Sequence, residues 1–511
     1  MGSELYKLND RKGSEYILAP TFEEEITKLV GEEVHSWRNL PVKVYQTSRK
    51  YRDEPRPRNG LLRTREFLMK DLYTFDADIQ GAEKSYKEIR NAYDAIMTRI
   101  FGVQGTGWKI AEADTGAMGG AQSHEYQVPD DVGEDELFMC SDCSYTANGE
   151  LATSLSPSLT SMPETCEDLQ VLLYGSKDLL AHECTMTAVV IPRGRTVNET
   201  KLARHLSKED GKALSTHAPW DWNERPEGPM IRFDNLQILL DSDCMAAEVD
   251  EIGQAILQAV EAFIYPDGTQ AWTSSKTSNT PILSDYFQQK SSSQSSALSD
   301  PITTSIVNLR QAQANDTCSS CRIGTLQRIK SIEVGHTFLL GTRYSDSLGY
   351  QFVNRDSSKV PFQMGCYGIG ITRIMGVLAQ LASKQYDNLK TATKKVRRGF
   401  VWNRNVAPFT AIILPINLNE KTRQAANIIC KGLQRSKTIE GVEGIKEQDI
   451  AIDDRTNLSM GVRMSDADLL GSPLFILLGD RFEKTGEVEI RHRTESGVQT
   501  INVPLTHFTS T

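Results

Sequence analysis

Apolar positions recur along this chain with two periods. From residue 20 to 37, Ile26, Leu29, Val30, Val34 and Trp37 return at helical spacing, and Thr21 is placed to cap the start. Pro41 ends that segment. Val42 to Tyr51 then alternates as a strand, and "PRPRNG" supplies a turn with Asn59-Gly60 at its tip. Leu61 to Phe75 reads as the returning strand. Residues 78 to 101 place Tyr86, Ile89, Tyr93, Ile96, Met97 and Ile100 on one face of a second helix.

Further on, residues 108 to 150 read as strands and tight glycine turns. Residues 166 to 270 carry separate apolar runs such as "TAVVIP" and "LQILLD". Residues 273 to 304 are rich in Ser and Thr and predict disorder. Order returns after Cys318, and "PFQMGCYGIGITRIMGVLAQLA" reads as strand, glycine turn and helix. A basic linker, "KKVRRG" at 394–399, leads to a C-terminal part in which strand and helix signals alternate. The expectation is an α/β multidomain protein.

The totals narrow the class. The chain has 511 residues, too many for one ordinary core, and 39% are hydrophobic. No apolar run approaches the roughly 18–20 residues of a membrane-spanning helix, so no membrane partner is expected. A formal net charge of -10 argues against a general nucleic-acid coat, yet leaves room for a local basic patch. Such a patch exists: Arg52, Arg56, Arg58, Arg63 and Arg65 share one hairpin, bracketed by Glu54 and Glu66. Taken alone, these residues fit either a solvated turn or a grip on phosphate and carboxylate, for which a guanidinium fork is suited. Nine cysteines without a secretory leader indicate a reducing compartment. Cys140-x-x-Cys143 and Cys318-x-x-Cys321 have the spacing of two zinc knuckles, with positions 144 to 317 between them. The competing reading is four reduced thiols.

The hairpin, Arg-Asp-Glu followed by an arginine-rich loop and Arg-x-Arg-Glu-Phe, resembles motif 2 of class II aminoacyl-tRNA synthetases. Gly368-Ile-Gly-Ile-Thr-Arg373 resembles motif 3. "LAPTFEEEIT", "EADTGAMGGAQSHEYQV" and "IEVGHTFLLGTRYS" narrow the resemblance to bacterial-type prolyl-tRNA synthetases. It covers residues 5 to about 165 and about 320 to 511.

The resemblance implies an antiparallel-sheet catalytic domain in two parts, 1–160 and 316–393. Between them lies an insert, 161–315, similar to a degenerate editing domain, and an α/β anticodon-binding domain follows at 400–511. It implies activation of proline by ATP to prolyl-adenylate, then transfer to tRNA(Pro). Arg52 and Arg373 are the implied catalytic residues. Thr21, Glu23, Arg52, His124 and Cys366 would bind proline. Arg52, Glu54, Arg63, Phe67, Glu125 and Arg373 would bind ATP, with Glu125 also a candidate contact for Mg2+. Arg455 and Arg463 would meet the anticodon. Lys201, in "RGRTVNETKLARHL", matches the editing lysine, with an exposed helix lysine as the alternative; weak or absent editing is expected. Cys140, Cys143, Cys318 and Cys321 are candidates for a structural Zn2+.

Two departures stand out: Phe22 replaces the family's histidine, and nothing before "LAPTFEE" matches motif 1, the segment on which a homodimer would depend. A mitochondrial matrix location is implied by family alone, since no targeting signal is visible.

Overall fold

The computed structural model describes residues 5–155, 169–176, 185–210, 217–219, 235–241, 302–390, 400–435, 449–455, 457–494 and 497–509, with isolated positions between 244 and 256. The basic linker at 394–399 and residues 273–301 of the Ser-rich tract lie outside the described residues. Packing groups the chain into two compact units, 1–108 with 334–511, and 109–333.

In the first unit the hairpin strand Val42–Tyr51 pairs antiparallel with Glu66–Asp76, which pairs with Gln363–Gly370. That strand in turn pairs with the stretch from Gly335 to Gly341. The first strand matches its expected bounds. The second begins at Glu66, not Leu61, because Asn59 and Gly60 adopt left-handed backbone (φ 56° and 59°) and the loop closes on itself before pairing resumes. Helix Glu23–Glu33 is shorter than its pattern. Its cap residue is Phe22, which makes no capping side-chain bond, and Val34 turns extended. Trp37 starts a separate short turn, Trp37–Asn39, capped by Ser36. Helix Ile79–Phe101 is capped by Asp78, whose carboxylate accepts from Gly81 N–H.

Also in this unit, residues 411–504 form a five-stranded sheet. Ile450–Ile452, Ala411–Pro415 and Leu474–Leu478 run parallel, and Glu487–Thr494 and Gly497–Pro504 continue antiparallel. Alternate residues of its central strands enter two separate cores, one under helix Glu420–Arg435 and one under Met460–Leu470.

Among the described residues the second unit holds two larger sheet regions, besides the short pair of Ser154–Leu155 with Thr317–Cys318. One joins Lys109–Glu112 with Gln122–Pro129, and Asp135–Cys140 with both Thr146–Asn148 and residues Leu326 to Ser331. The other has five strands in the order His217–Pro219, Leu169–Ser176, Thr185–Pro192, Asn235–Asp241, Ile302–Val307. Its last two pairings are parallel. Helix Glu199–Asp210 lays Leu202 and Leu206 on Val189, Ile191 and Leu239. The last three residues of the tract expected to be disordered, 302–304, are therefore strand.

Candidate active site

Cross-strand register builds one face of the first unit. Lys50 lies opposite Phe67, Gln46 opposite Asp71 and Val44 opposite Tyr73. Cys366 then lies opposite Tyr73, and Gly368 opposite Asp71. Because side chains alternate along a strand, Phe67, Asp71, Tyr73, Lys50 and Cys366 share this face, and Arg52 follows Lys50 two positions on.

At one end is the arginine loop. Arg52 N–H bonds Arg65 O at 2.9 Å and Arg58 N–H bonds Arg63 O at 3.1 Å, so the loop is closed by its own backbone. Glu54 is only 9% exposed, and Arg63 Nε donates to its carboxylate at 2.8 Å. Arg65 Nε donates to Glu54 O at 2.9 Å. The Arg52 guanidinium lies 5.3 Å from the Phe67 ring centre, and its Nε is buried without a hydrogen-bond partner. A buried donor in that state is met by water or by a ligand, and here the Arg52 guanidinium also lies against the Phe67 ring. Arg373 Nε donates to Leu62 O at 3.0 Å, which draws the glycine-turn helix Ile371–Lys390 onto the loop. Gly376 permits the approach: a β-carbon there would sit 3.1 Å from both Leu61 and Leu62 side chains. Arg52, Glu54, Arg63, Phe67 and Arg373 are thus brought together.

The other end is formed by the start of helix Glu23–Glu33. Glu23 is fully buried, and both its oxygens are engaged. Thr21 donates its hydroxyl to one, and Cys366 donates its thiol to the other at 2.9 Å. The expected capping role of Thr21 is therefore corrected, since its hydroxyl faces Glu23. Burial raises the Glu23 carboxyl above the usual range, while the Cys366 and Thr21 bonds oppose that rise. Burial and the Glu23 charge lift the Cys366 thiol well above normal, so it is a donor. A cationic group arriving at Glu23 stabilises the charged carboxylate that desolvation otherwise disfavours.

His124 and Glu125 belong to the second unit, both buried on strand Gln122–Pro129. Glu125 accepts from Gln127 at 2.8 Å and Asn148 at 2.9 Å, which fixes its carboxylate. In the same unit all four knuckle cysteines converge, their sulfurs within 4.8 Å of one another. Cys140 and Cys321 sulfurs are 3.6 Å apart, Cys143 and Cys318 sulfurs 3.8 Å. A tetrahedral ion with bonds of about 2.3 Å requires about 3.8 Å between ligand sulfurs. Backbone N–H groups of Asp142, Cys143 and Gly324 point at Cys140 and Cys321 sulfurs at 3.3–3.4 Å. The residues fit zinc.

Lys201 is buried, not exposed as its alternative reading required. Its ammonium donates to Asn308 Oδ1 at 2.8 Å and Arg310 O at 3.0 Å, beside a cleft of about 360 Å³ lined also by Tyr145, Arg204 and His205. Burial lowers it to about 8. In the C-terminal sheet Arg463 is 2% exposed and donates to the carbonyls of Pro415, Ile416 and Asp453. It holds the fold and is removed from the anticodon candidates. Arg455 is at the surface, engaged by Asp453 and Asp466.

Sequence reasoning missed Lys50, Asp71 and Tyr73. Lys50 and Asp71 form a buried ion pair at 2.8 Å, and Tyr73 and Gln46 both donate to Asp71. The alternation Val42, Val44, Gln46, Ser48, Lys50 was the available signal, since it turns Lys50 inward.

Comparison with known proteins divides the chain elsewhere than packing does. Residues 6–381 match the class II tRNA synthetase core domain of the G, H, P, S and T group, and residues 410–510 match the anticodon binding domain. The chain is 32% identical over 529 residues to the proline--tRNA ligase of Desulforamulus reducens, covering 98% of this chain and 82% of that protein. It is 34% identical over 512 residues to that of Caldicellulosiruptor bescii, covering 96% and 79%. Among solved structures, prolyl-tRNA synthetase of Cryptosporidium parvum complexed with L-proline and AMP aligns with a TM-score of 0.48 at 13% identity, over 99% of this chain and 60% of that one. The chain belongs to the proline--tRNA ligases, within the class II aminoacyl-tRNA synthetases.

Proposed function

We propose that this chain forms prolyl-adenylate on the face just described and passes the prolyl group to tRNA(Pro). The observation that carries the reading is Arg52: a buried, unpartnered Nε beside the Phe67 ring, on the face that also holds Glu23. Proline's carboxylate attacks the α-phosphorus of ATP, and pyrophosphate leaves. Positive charge must meet the anions as they approach. Arg52 bridges the carboxylate and α-phosphate, and Arg63 and Arg373 hold the γ-phosphate. Phe67 stacks on adenine, with Glu54 orienting the loop and accepting from the base. Thr21 and Glu23 receive the secondary ammonium, whose two N–H donors suit a hydroxyl and a carboxylate, and Cys366 holds Glu23 in place. By family resemblance alone, His124 is assigned to proline and Glu125 would be the contact for Mg2+. Mg2+ supplies neutralisation of phosphate oxygens and needs few protein ligands.

The four cysteines hold a structural Zn2+. The insert is a weak or inactive editing domain, since the Lys201 amine is already engaged by Asn308 and Arg310. Rapid hydrolysis of alanyl-tRNA that is lost in Lys201→Ala contradicts this. Arg455 is the remaining anticodon candidate. A mitochondrial location rests on family reasoning alone; a C-terminal fluorescent fusion found outside mitochondria removes it.

The test of the main reading is proline-dependent exchange of labelled pyrophosphate into ATP, wild type beside Arg52→Ala. Exchange that requires proline and falls roughly 100-fold or more in the variant is expected. Exchange that persists in Arg52→Ala refutes the assignment.

A further inference from the structure

The start of helix Glu23–Glu33 carries the two groups assigned to proline's ammonium, yet no side chain caps it. An uncapped helix start is held weakly by its own turn. Glu23, its first residue, is anchored by the Cys366 thiol at 2.9 Å, and the approach of Thr21 is left to whatever holds Phe22. The segment before it is tied by backbone bonds from Leu18 N–H to Tyr6 O at 3.0 Å and from Tyr51 N–H to Ala19 O at 3.1 Å. The residue between Thr21 and Glu23 is Phe22, and its ring centre lies 4.3 Å from the Lys50 ammonium.

Lys50 cannot yield. It is fully buried, and its ammonium also donates to Ser48 at 2.6 Å and Asp71 at 2.8 Å. Asp71 is fixed in turn by Gln46 at 2.9 Å and Tyr73 at 2.7 Å. An aromatic face over a desolvated ammonium is a stronger contact than the same pair in water. The ring of Phe22 therefore meets a rigid cation rooted in the hairpin strand.

We propose that Phe22 is a positioning residue for proline recognition: by resting on Lys50 it sets where Thr21 and Glu23 present their oxygens. Lys50 itself never reaches a ligand, because Phe22 and the sheet cover it. Of the ATP-binding groups, Glu54 and Arg63 belong to the arginine loop, Phe67 to the strand Glu66–Asp76 and Arg373 to the helix Ile371–Lys390, whereas Phe22 adjoins Thr21 and Glu23 on the proline side. Loss of the contact thus separates the two substrates. This rests on the assignment of Thr21 and Glu23 to proline.

The test uses the whole chain and two variants. Phe22→Leu keeps the bulk and removes the π face; Phe22→Tyr keeps the face. Steady-state exchange gives KM for proline and for ATP, and calorimetry gives proline binding without ATP. Phe22→Leu is expected to raise KM and Kd for proline roughly five- to thirty-fold, at unchanged KM for ATP and with at most a few degrees' loss of melting temperature, with Phe22→Tyr close to wild type. Phe22→Leu that binds proline as well as wild type overturns the proposal, as does a parallel rise in both KM values. Wild type that binds no proline overturns the underlying assignment and this inference with it, whereas tight wild-type binding matched by Phe22→Leu overturns the inference alone.

Discussion

Two buried ion pairs set the two units apart. Lys50–Asp71 lies in the first, with side chains 0% and 2% exposed; Arg310–Asp241 lies in the second, both at 0%. Their partners differ. Asp241 also accepts from the backbone N–H groups of Leu309 and Arg310, and Arg310 donates to the carbonyl of Ser154. That pair ties main chain to main chain. Asp71 instead accepts from the side chains of Gln46 and Tyr73, while Lys50 meets Ser48 and Phe22. That pair ties side chains on a ligand-bearing face. A buried pair engaged by backbone builds architecture, and one engaged by side chains can set the position of others.

The largest effect tests this contrast. Arg310→Met leaves Asp241 charged and unpaired, at a cost of about 3–5 kcal/mol, read as a lower denaturation midpoint. Lys50→Met leaves Asp71 in the same condition, with a similar loss. Kinetics divide them: surviving folded Arg310→Met keeps the wild-type KM for proline and ATP, and Lys50→Met does not. If both variants change the same KM values, the distinction between the pairs fails.

Metal comes next. Purified chain is expected to hold close to one zinc per molecule by atomic emission, and Cys143→Ser to lose both metal and several degrees of melting temperature. Less than a tenth of an equivalent in the wild type excludes the site.

A smaller effect concerns Lys201, whose folded pKa is about 8 against the ordinary 10.5. Between those values the unfolded chain binds the proton and the folded chain does not. Stability from this group therefore rises as pH climbs from about 8 to 10.5, and its burial penalty is full below 8. Wild type should gain on Lys201→Met in melting temperature across that window. A constant difference means that the amine is not desolvated.

The smallest is Arg455→Ala. Arg455 itself and its partner Asp466 are about 40% exposed, while Asp453 is 8% exposed, so at most a small fall in denaturation midpoint is expected. Weaker tRNA binding with no more than that fall supports its role as anticodon contact; an unchanged affinity removes it.

The sequence made much of this visible, for identifiable reasons. Strict alternation marked Val42–Tyr51, and Asn59-Gly60 marked the turn, because both are local rules. The arginine loop was found by charge contrast against an acidic chain. Lys50 was overlooked because a charged residue beside five arginines reads as solvated, and only cross-strand register shows that it faces Asp71. Arg463 misled in the opposite direction. Its value as a donor to three carbonyls depends on where Pro415, Ile416 and Asp453 end their strands, which no local pattern contains. Thr21 satisfied the rule for a cap, yet Glu23 competed for its hydroxyl and won.

The knuckle cysteines bracket the insert, and Thr317–Cys318 pairs with Ser154–Leu155 at its root. The insert leaves and returns at nearly one point. The Ser-rich tract lies inside it, between the strands Asn235–Asp241 and Ile302–Val307, whose parallel pairing closes the ends of that connection in turn. Closure entropy then grows only with the logarithm of its length, about 0.6 kcal/mol for each doubling. Residues can be added to or removed from the Ser-rich tract with little thermodynamic effect on the rest of the chain, and the tract is free to drift in length while its two ends stay fixed.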